Sequence, residues 1–280
     1  MSNCVFSIPK PPNFNTEQIF NCGQCFRFNR AQDNPNAFCG VAFSKYIKVS
    51  EDNENVYFYN VSQDEFEKIW KNFFDLDTNY TKIISSFKDD RILSQAADFS
   101  SGIRILNQDK WEALCSFIIS QNNNIPRIKG IIENMCAKYG QYIGNFDGKD
   151  RFAFPTPKAL YDAGIDGLFE LKTGFRAKYI FDAASKIVNG EINLDEVAKM
   201  PIDEAKNSLE TIKGVGPKVA LCTLLFGFSR HEAFPIDVWV KKILEKYYSH
   251  TIPKHFTQSN AGIAQQYLFY YERCINNVFI

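Results

Sequence analysis

Leu209-Glu210-Thr211-Ile212-Lys213-Gly214-Val215-Gly216-Pro217-Lys218-Val219-Ala220 is the stretch on which the reading of this chain turns. A helix ends near Ile212, and Gly-Val-Gly reverses the chain. Pro217 falls at a first helical position, where its fixed φ suits a helix and its missing N–H costs nothing. Lys218 is then in the first turn of the next helix. The helix macrodipole favours anions there, so a lysine is out of place on local grounds. An apolar run leads on to Phe234-Pro235-Ile236-Asp237-Val238-Trp239. Asp237 is placed to cap a third helix, from Val238 to about Tyr248.

Composition sets the bounds. The chain has 280 residues, 45% of them hydrophobic, with 26 Phe, enough for a sizeable core. Its formal net charge is zero, so bulk charge announces no nucleic-acid partner and local charge has to be counted. Residues 1–95 carry 10 basic and 12 acidic side chains, which leaves the small basic excess to the remainder. Between 171 and 190, Lys172, Arg176, Lys178 and Lys186 face only Asp182. Between 211 and 246, six basic residues face three acidic ones. No apolar segment is long enough to cross a membrane as a helix. The start, Met1-Ser2-Asn3-Cys4-Val5-Phe6-Ser7, lacks the charged and apolar regions of a signal peptide. The expectation is an intracellular protein, in the cytoplasm of a prokaryote or the nucleus of a eukaryote. The eight cysteines are then reduced thiols. Cys22-Gly23-Gln24-Cys25 is a lone CxxC pair, weak support for a metal site, and none is expected.

The first ~60 residues read as β. Phe26-Arg27-Phe28 alternates, Ala37 to Ser50 is rich in β formers, Glu51–Asn55 is a polar turn, and Val56–Tyr59 returns. Phe66, Ile69, Trp70 and Phe73 have helical spacing, and from about Thr81 the chain reads as helical throughout. Trp111, Leu114, Cys115 and Ile118 mark one helix, and Ile128, Ile131, Ile132, Met135 and Cys136 the next. Loops are expected at Gly144–Gly148, Phe154–Pro157 and Leu171–Phe175. The predicted class is α+β: an N-terminal antiparallel sheet domain (1–98) joined to a mainly helical body (99–280), with the glycine hairpin at about 205–226.

From about Phe14 to Phe269 the chain resembles the helix–hairpin–helix DNA glycosylases that carry a catalytic lysine, and among these the 8-oxoguanine DNA glycosylase/AP lyase family. The hairpin, Lys218 and Phe-Pro-Ile-Asp237 carry the resemblance, with Gly23-Gln24-Cys25-Phe26 and the Asn122 segment. Taken alone, Lys218 would equally be a phosphate-binding lysine and Asp237 a plain helix cap. The resemblance implies that Lys218 attacks the sugar C1′ and forms a Schiff base. It implies that Asp237 caps its helix and also stabilises the oxocarbenium-like sugar. Gly214 and Gly216 would offer backbone N–H groups to a phosphate. Asn122 would fill the gap left by a flipped nucleotide. Arg127 and Arg176 would read the orphaned cytosine, and Phe175 would act as a wedge.

The implied base pocket has four parts. Gly23 presents a backbone carbonyl to the N7 hydrogen that 8-oxoguanine has and guanine lacks. Cys222 and Phe269 sandwich the base, and Gln265 reads its Watson–Crick edge. The chain departs from the family at four places. Trp239 stands where histidine is frequent near the phosphate, Cys25 replaces serine, Leu221 replaces an acidic residue, and Phe226 enlarges an apolar position. The four C-terminal cysteines that hold an iron–sulfur cluster in some relatives are missing, since Cys274 stands alone. No cofactor and no catalytic metal are implied, though a cation on the hairpin carbonyls occurs in some relatives. The expected function is excision of 8-oxoguanine from double-stranded DNA, opposite cytosine, by a monomer that then nicks the strand by β-elimination. The alternatives are a related glycosylase for another damaged base, such as an alkylated one, and a non-catalytic DNA-binding hairpin protein.

Overall fold

The β-forming residues of the N-terminal third close into a five-stranded antiparallel sheet in the order β1-β5-β4-β3-β2. The strands are β1 (Val5–Pro9), β2 (Phe28–Arg30), β3 (Ala37–Ala42), β4 (Lys45–Glu51) and β5 (Asn55–Tyr59). This computed structural model describes residues 5–276. The β-rich stretch from Ala37 to Ser50 is two strands. Phe43 and Ser44, at φ +49° and +59°, form a tight two-residue hairpin loop between them. Strand β1 carries no strong sequence signal; it is held by pairing with β5, Val5 opposite Tyr59.

All six residues of β3 are buried, because both faces of the sheet are covered. One face packs on an aromatic core that includes Phe20, Phe28, Phe58, Phe73 and Phe74. The other is covered by a second hairpin, β6 (Tyr142–Phe146) and β7 (Lys149–Phe152), where the sequence suggested only a loop within a helical region. Its turn is Asp147-Gly148, both at positive φ, the dipeptide that two-residue hairpins favour. Phe146 stacks on Tyr46 of β4, ring centroids 4.5 Å apart. A four- to five-residue pair is marginal alone; this stacking explains why it forms.

The Gly23-Gln24-Cys25-Phe26 segment is not a strand. It is a bend between the Thr16–Asn21 helix and β2. Gln24, fully buried, pins it. Its amide nitrogen donates to the carbonyls of Ile19 and Arg104, each at 2.9 Å, and its amide oxygen accepts from the Leu106 N–H at 2.8 Å.

The helices of the remaining chain share a larger apolar core that runs from Tyr80 to Leu268. Helices Ile202–Glu210 and Pro217–Gly227 form the hairpin around Gly214, which has φ +78°. Pro217 is at the start of its helix, and Asp237 caps Val238–Tyr248 through Oδ1, which accepts from the N–H of Trp239 and Val240 at 2.9 and 2.8 Å. The Lys213 N–H donates to Asp182 at 2.8 Å and fixes the hairpin against the Ala177–Val188 helix.

The two hairpin glycines answer to different constraints. A Cβ on Gly214 would lie 2.3 Å from Cδ2 of Tyr179, in a backbone conformation that disfavours side chains. A Cβ on Gly216 would meet nothing within 4 Å. Gly214→Ala is therefore expected to destabilise the protein by about 1–3 kcal/mol in urea unfolding. Gly216→Ala, which puts a poor N-cap residue into open space, should cost less, about 0.5 kcal/mol. Equal losses for the two variants would contradict this account of the turn.

Candidate active site

Lys218 and Asp237 meet at a cavity of about 540 Å³ between the hairpin, the Lys110–Ser120 helix, the Gly23 bend and the C-terminal Ala261–Ile275 helix. Of the residues singled out in the sequence, Gly23, Asn122, Gly216, Lys218, Cys222, Asp237, Gln265 and Phe269 line it. Trp239 and Phe226 line it too.

Lys218 is half-buried. Its Nζ donates to Ser120 Oγ at 3.3 Å and lies 5.4 Å from the Phe117 ring centroid. Its helix is apolar on nearly every side, so the lysine leaves the core only at this end. One oxygen of Asp237 is engaged by the cap. Cys222, one turn beyond Lys218, is buried, and burial pushes its thiol above the usual range against the opposing charge of Lys218. The wall behind it is aromatic: Phe117 and Phe226 stack at 5.3 Å, and Phe26 meets Phe117 edge-on at 6.0 Å.

Gln265 is 6% exposed, and its Oε1 is buried with no hydrogen-bond partner. An unmet buried acceptor costs about 1–3 kcal/mol; the Gln265 side chain borders the cavity, while this oxygen has no exposed surface there. The neighbouring Gln266 has a structural part: its Nε2 donates to the Cys22 carbonyl at 2.7 Å. Gly23 has φ +82°. The bend thus requires glycine on backbone grounds, as well as for close approach to a ligand. Burial raises Cys22 to about 12 and Cys25 further still, which leaves both thiols protonated at neutral pH. Among the described residues no group of three or more His, Cys, Asp or Glu is arranged to hold a metal ion.

Arg127, Phe175, Arg176 and Gly214 lie outside the cavity lining. Arg127 is exposed and donates to the Lys172 carbonyl at 3.2 Å. Phe175 is 49% exposed, as a wedge would be. Arg176 is only 2% exposed. Its guanidinium donates to the Asn122 carbonyl at 2.9 Å, the Thr173 carbonyl at 3.2 Å and the Gln121 carbonyl, beneath the Phe175 ring. It holds the Asn122 loop, in which Asn122 itself has φ +46°. To reach a base, Arg176 would have to exchange those bonds.

Ser120, Phe117 and Arg273 also line the site and were not singled out from the sequence. Arg273 had a signal: it falls four residues after Phe269, on the same helical face. Ser120 and Phe117 had none, because their helix is buried on almost all sides.

Behind the Gly23 bend lies a buried charge cluster. Arg27 Nε donates to Glu133 at 3.0 Å and its NH2 to the Phe152 carbonyl at 2.7 Å, with Glu112 4.0 Å from NH1. Burial raises the Glu112 carboxyl from 4.5 to about 7 against the pull of Arg27. Above pH 4.5 the unfolded chain gives up this proton while the folded chain keeps it. The associated stability is complete below pH 4.5 and is lost as pH rises to about 7, by roughly 3 kcal/mol in all. Urea unfolding at pH 5 and 7.5 should show Glu112→Gln losing much less stability over that interval than the unaltered protein. Parallel pH curves for the two proteins would rule out Glu112 as the group.

Comparison with known proteins bears on this geometry. A family model described as the 8-oxoguanine DNA glycosylase N-terminal domain matches residues 7–114. One described as HhH-GPD superfamily base excision DNA repair protein matches residues 115–261. The chain is 33% identical over 219 residues to the N-glycosylase/DNA lyase of Saccharomyces cerevisiae, over 72% of this chain but 58% of that protein's length. Two solved structures match it almost end to end. One, of MBOgg1 in complex with a low affinity DNA ligand, has TM-score 0.91 and 39% identity, covering 99% of this chain and 100% of the other. The second is the Clostridium acetobutylicum 8-oxoguanine glycosylase/lyase with duplex DNA containing cytosine opposite 8-oxoG. It has TM-score 0.89 and 38% identity, covering 99% of this chain and 100% of the other.

Proposed function

Because this chain belongs to the HhH-GPD superfamily of base excision DNA repair proteins, with the 8-oxoguanine DNA glycosylase N-terminal domain before it, we propose that it excises 8-oxoguanine from duplex DNA and then nicks the strand. One observation carries the reading: Lys218, Asp237 and Gln265 line one cavity large enough for a flipped nucleotide.

The amine of Lys218, in its neutral form, attacks C1′ as the bond from C1′ to the base nitrogen breaks. The base leaves with the bonding electrons and takes up a proton. Asp237 stabilises the positive charge that develops on the sugar. The attached lysine nitrogen loses one proton, and its lone pair then expels the ring oxygen from C1′; that oxygen takes up a proton, leaving an iminium between Lys218 and C1′. Removal of a C2′ proton then expels the 3′ phosphate, which is β-elimination. Ser120, in contact with Lys218, orients the amine.

Base choice follows from two acceptors. Gln265 turns its amide toward the guanine-type edge, which carries N–H groups where adenine has a ring acceptor, and its Oε1 accepts there. The Gly23 carbonyl takes the N7 hydrogen of 8-oxoguanine and would face a lone pair in guanine, a mismatch worth about 1–3 kcal/mol. Flipping costs a few kcal/mol, offset by Asn122 and Phe175 entering the duplex. The protein acts as an intracellular monomer on the 8-oxoguanine:cytosine pair, without a cofactor, and the unit from residue 99 onward forms the glycosylase body.

Lys218→Gln should bind lesion DNA with near-normal affinity yet neither release the base nor be trapped on it by borohydride. The unaltered protein should form a covalent adduct under the same conditions. Normal excision by the variant would sink the lysine mechanism.

The two arginines should separate. Arg127→Ala is expected to flatten the preference for cytosine over adenine opposite the lesion by about 1–3 kcal/mol. Arg176→Ala, which frees the Asn122 loop, should slow excision opposite all four bases alike. Single-turnover rates on four duplexes decide this; an Arg127→Ala variant with undiminished selectivity would remove that residue from the reading.

A further inference from the structure

Gln265, Phe269 and Arg273 follow one another at four-residue steps on the C-terminal helix, and all three line the cavity. Such steps keep them on one face and advance about 6 Å each along the axis. Gln265 is at the buried end. Arg273, half-buried, is at the end where Val238 is 67% exposed, so the cavity opens to solvent there. The guanidinium of Arg273 lies 5.2 Å from the Phe269 ring centroid and 5.8 Å from that of Trp239. The Lys242 ammonium lies 4.9 Å from the same indole. Asp237 is close enough for its charge to oppose the effect of burial on Arg273.

On the reading proposed above, a flipped nucleotide brings a negative phosphodiester to this mouth, beside the negative Asp237. A charge entering a half-buried site beside a like charge needs a cation. Lys218 cannot serve while its amine is neutral for attack. Trp239 donates one hydrogen bond and carries no charge. Arg273 is permanently charged and presents a planar fork suited to phosphate oxygens. We infer that Arg273 binds a phosphodiester flanking the flipped nucleotide, with Trp239 and Phe269 as the aromatic walls that hold its guanidinium in place. The helix then measures the nucleotide from base edge to phosphate.

The test uses binding, so that it stands apart from catalysis. The probe is a duplex with one tetrahydrofuran abasic residue, and two versions carry a neutral methylphosphonate at the 5′ or the 3′ linkage of that residue. Arg273→Gln should weaken binding about tenfold and reduce the slope of log affinity against log salt by about 1. Arg273→Lys should restore the slope. The unaltered protein should lose about tenfold on one methylphosphonate duplex, and Arg273→Gln should lose nothing further on it. Losses that multiply when the variant meets each neutral duplex would overturn the phosphate contact, as would an unchanged salt slope in a variant with unchanged thermal unfolding. A protein that shows the paired loss but never releases 8-oxoguanine would overturn the reaction proposed above and leave this contact standing.

Discussion

The site depends on a relay of hydrogen bonds through a buried bend. Gln266 on the last helix holds the Cys22 carbonyl, and Gln24 holds the bend to Ile19, Arg104 and Leu106. The Gln108 side chain takes the Gln24 carbonyl at 2.8 Å, while the Gln108 backbone N–H takes the Phe226 carbonyl at 2.9 Å. Phe226 belongs to the helix that carries Lys218. Four segments far apart in the chain are thereby held by amide hydrogen bonds. Gln24 and Gln266 are buried and Gln108 half-buried, so leaving a buried amide unpaired costs about 1–3 kcal/mol. That cost is what keeps the Gly23 carbonyl at a set distance from the lysine.

The same principle works in reverse inside the cavity. Nearly everything around it is satisfied by the protein, while Gln265 Oε1 is not. That oxygen is buried without a partner, so a ligand that brings a donor to the Gln265 side chain recovers a stability cost as selectivity. The cavity also separates its tasks by depth. In the proposed reaction the base is read among apolar and amide groups and the attacking lysine stands at a helix start, while charge gathers at the mouth with Arg273 and Asp237.

Outside the cavity, the rim is arranged as linked loops. Arg176 joins the Asn122 loop to the turn before Phe175, and Arg127 joins the next helix to Lys172. The elements that would enter DNA are therefore braced against each other before DNA arrives, which lowers the ordering cost of binding. A buried arginine bonded to three carbonyls serves that purpose better than it serves base reading.

Much of this was legible in the sequence because it is written locally. Turn glycines, Pro217 at a helix start, Asp237 as a cap and helical spacing of Gln265 and Phe269 depend on residues a few positions apart, and each has a conformational cause that acts within one or two turns. The tertiary structure decided what local rules leave open. It made a bend of the Gly23 segment, because Gln24 found partners up to 84 residues away. It made a hairpin of Tyr142–Phe152, because Phe146 had Tyr46 to stack on. It buried Arg176 and brought Ser120 to Lys218 across 98 residues. It left Gln265 without a partner. Which polar group is satisfied, and which is left without a partner, depends on burial between distant segments, and burial is a property of the packed chain rather than of any stretch of it.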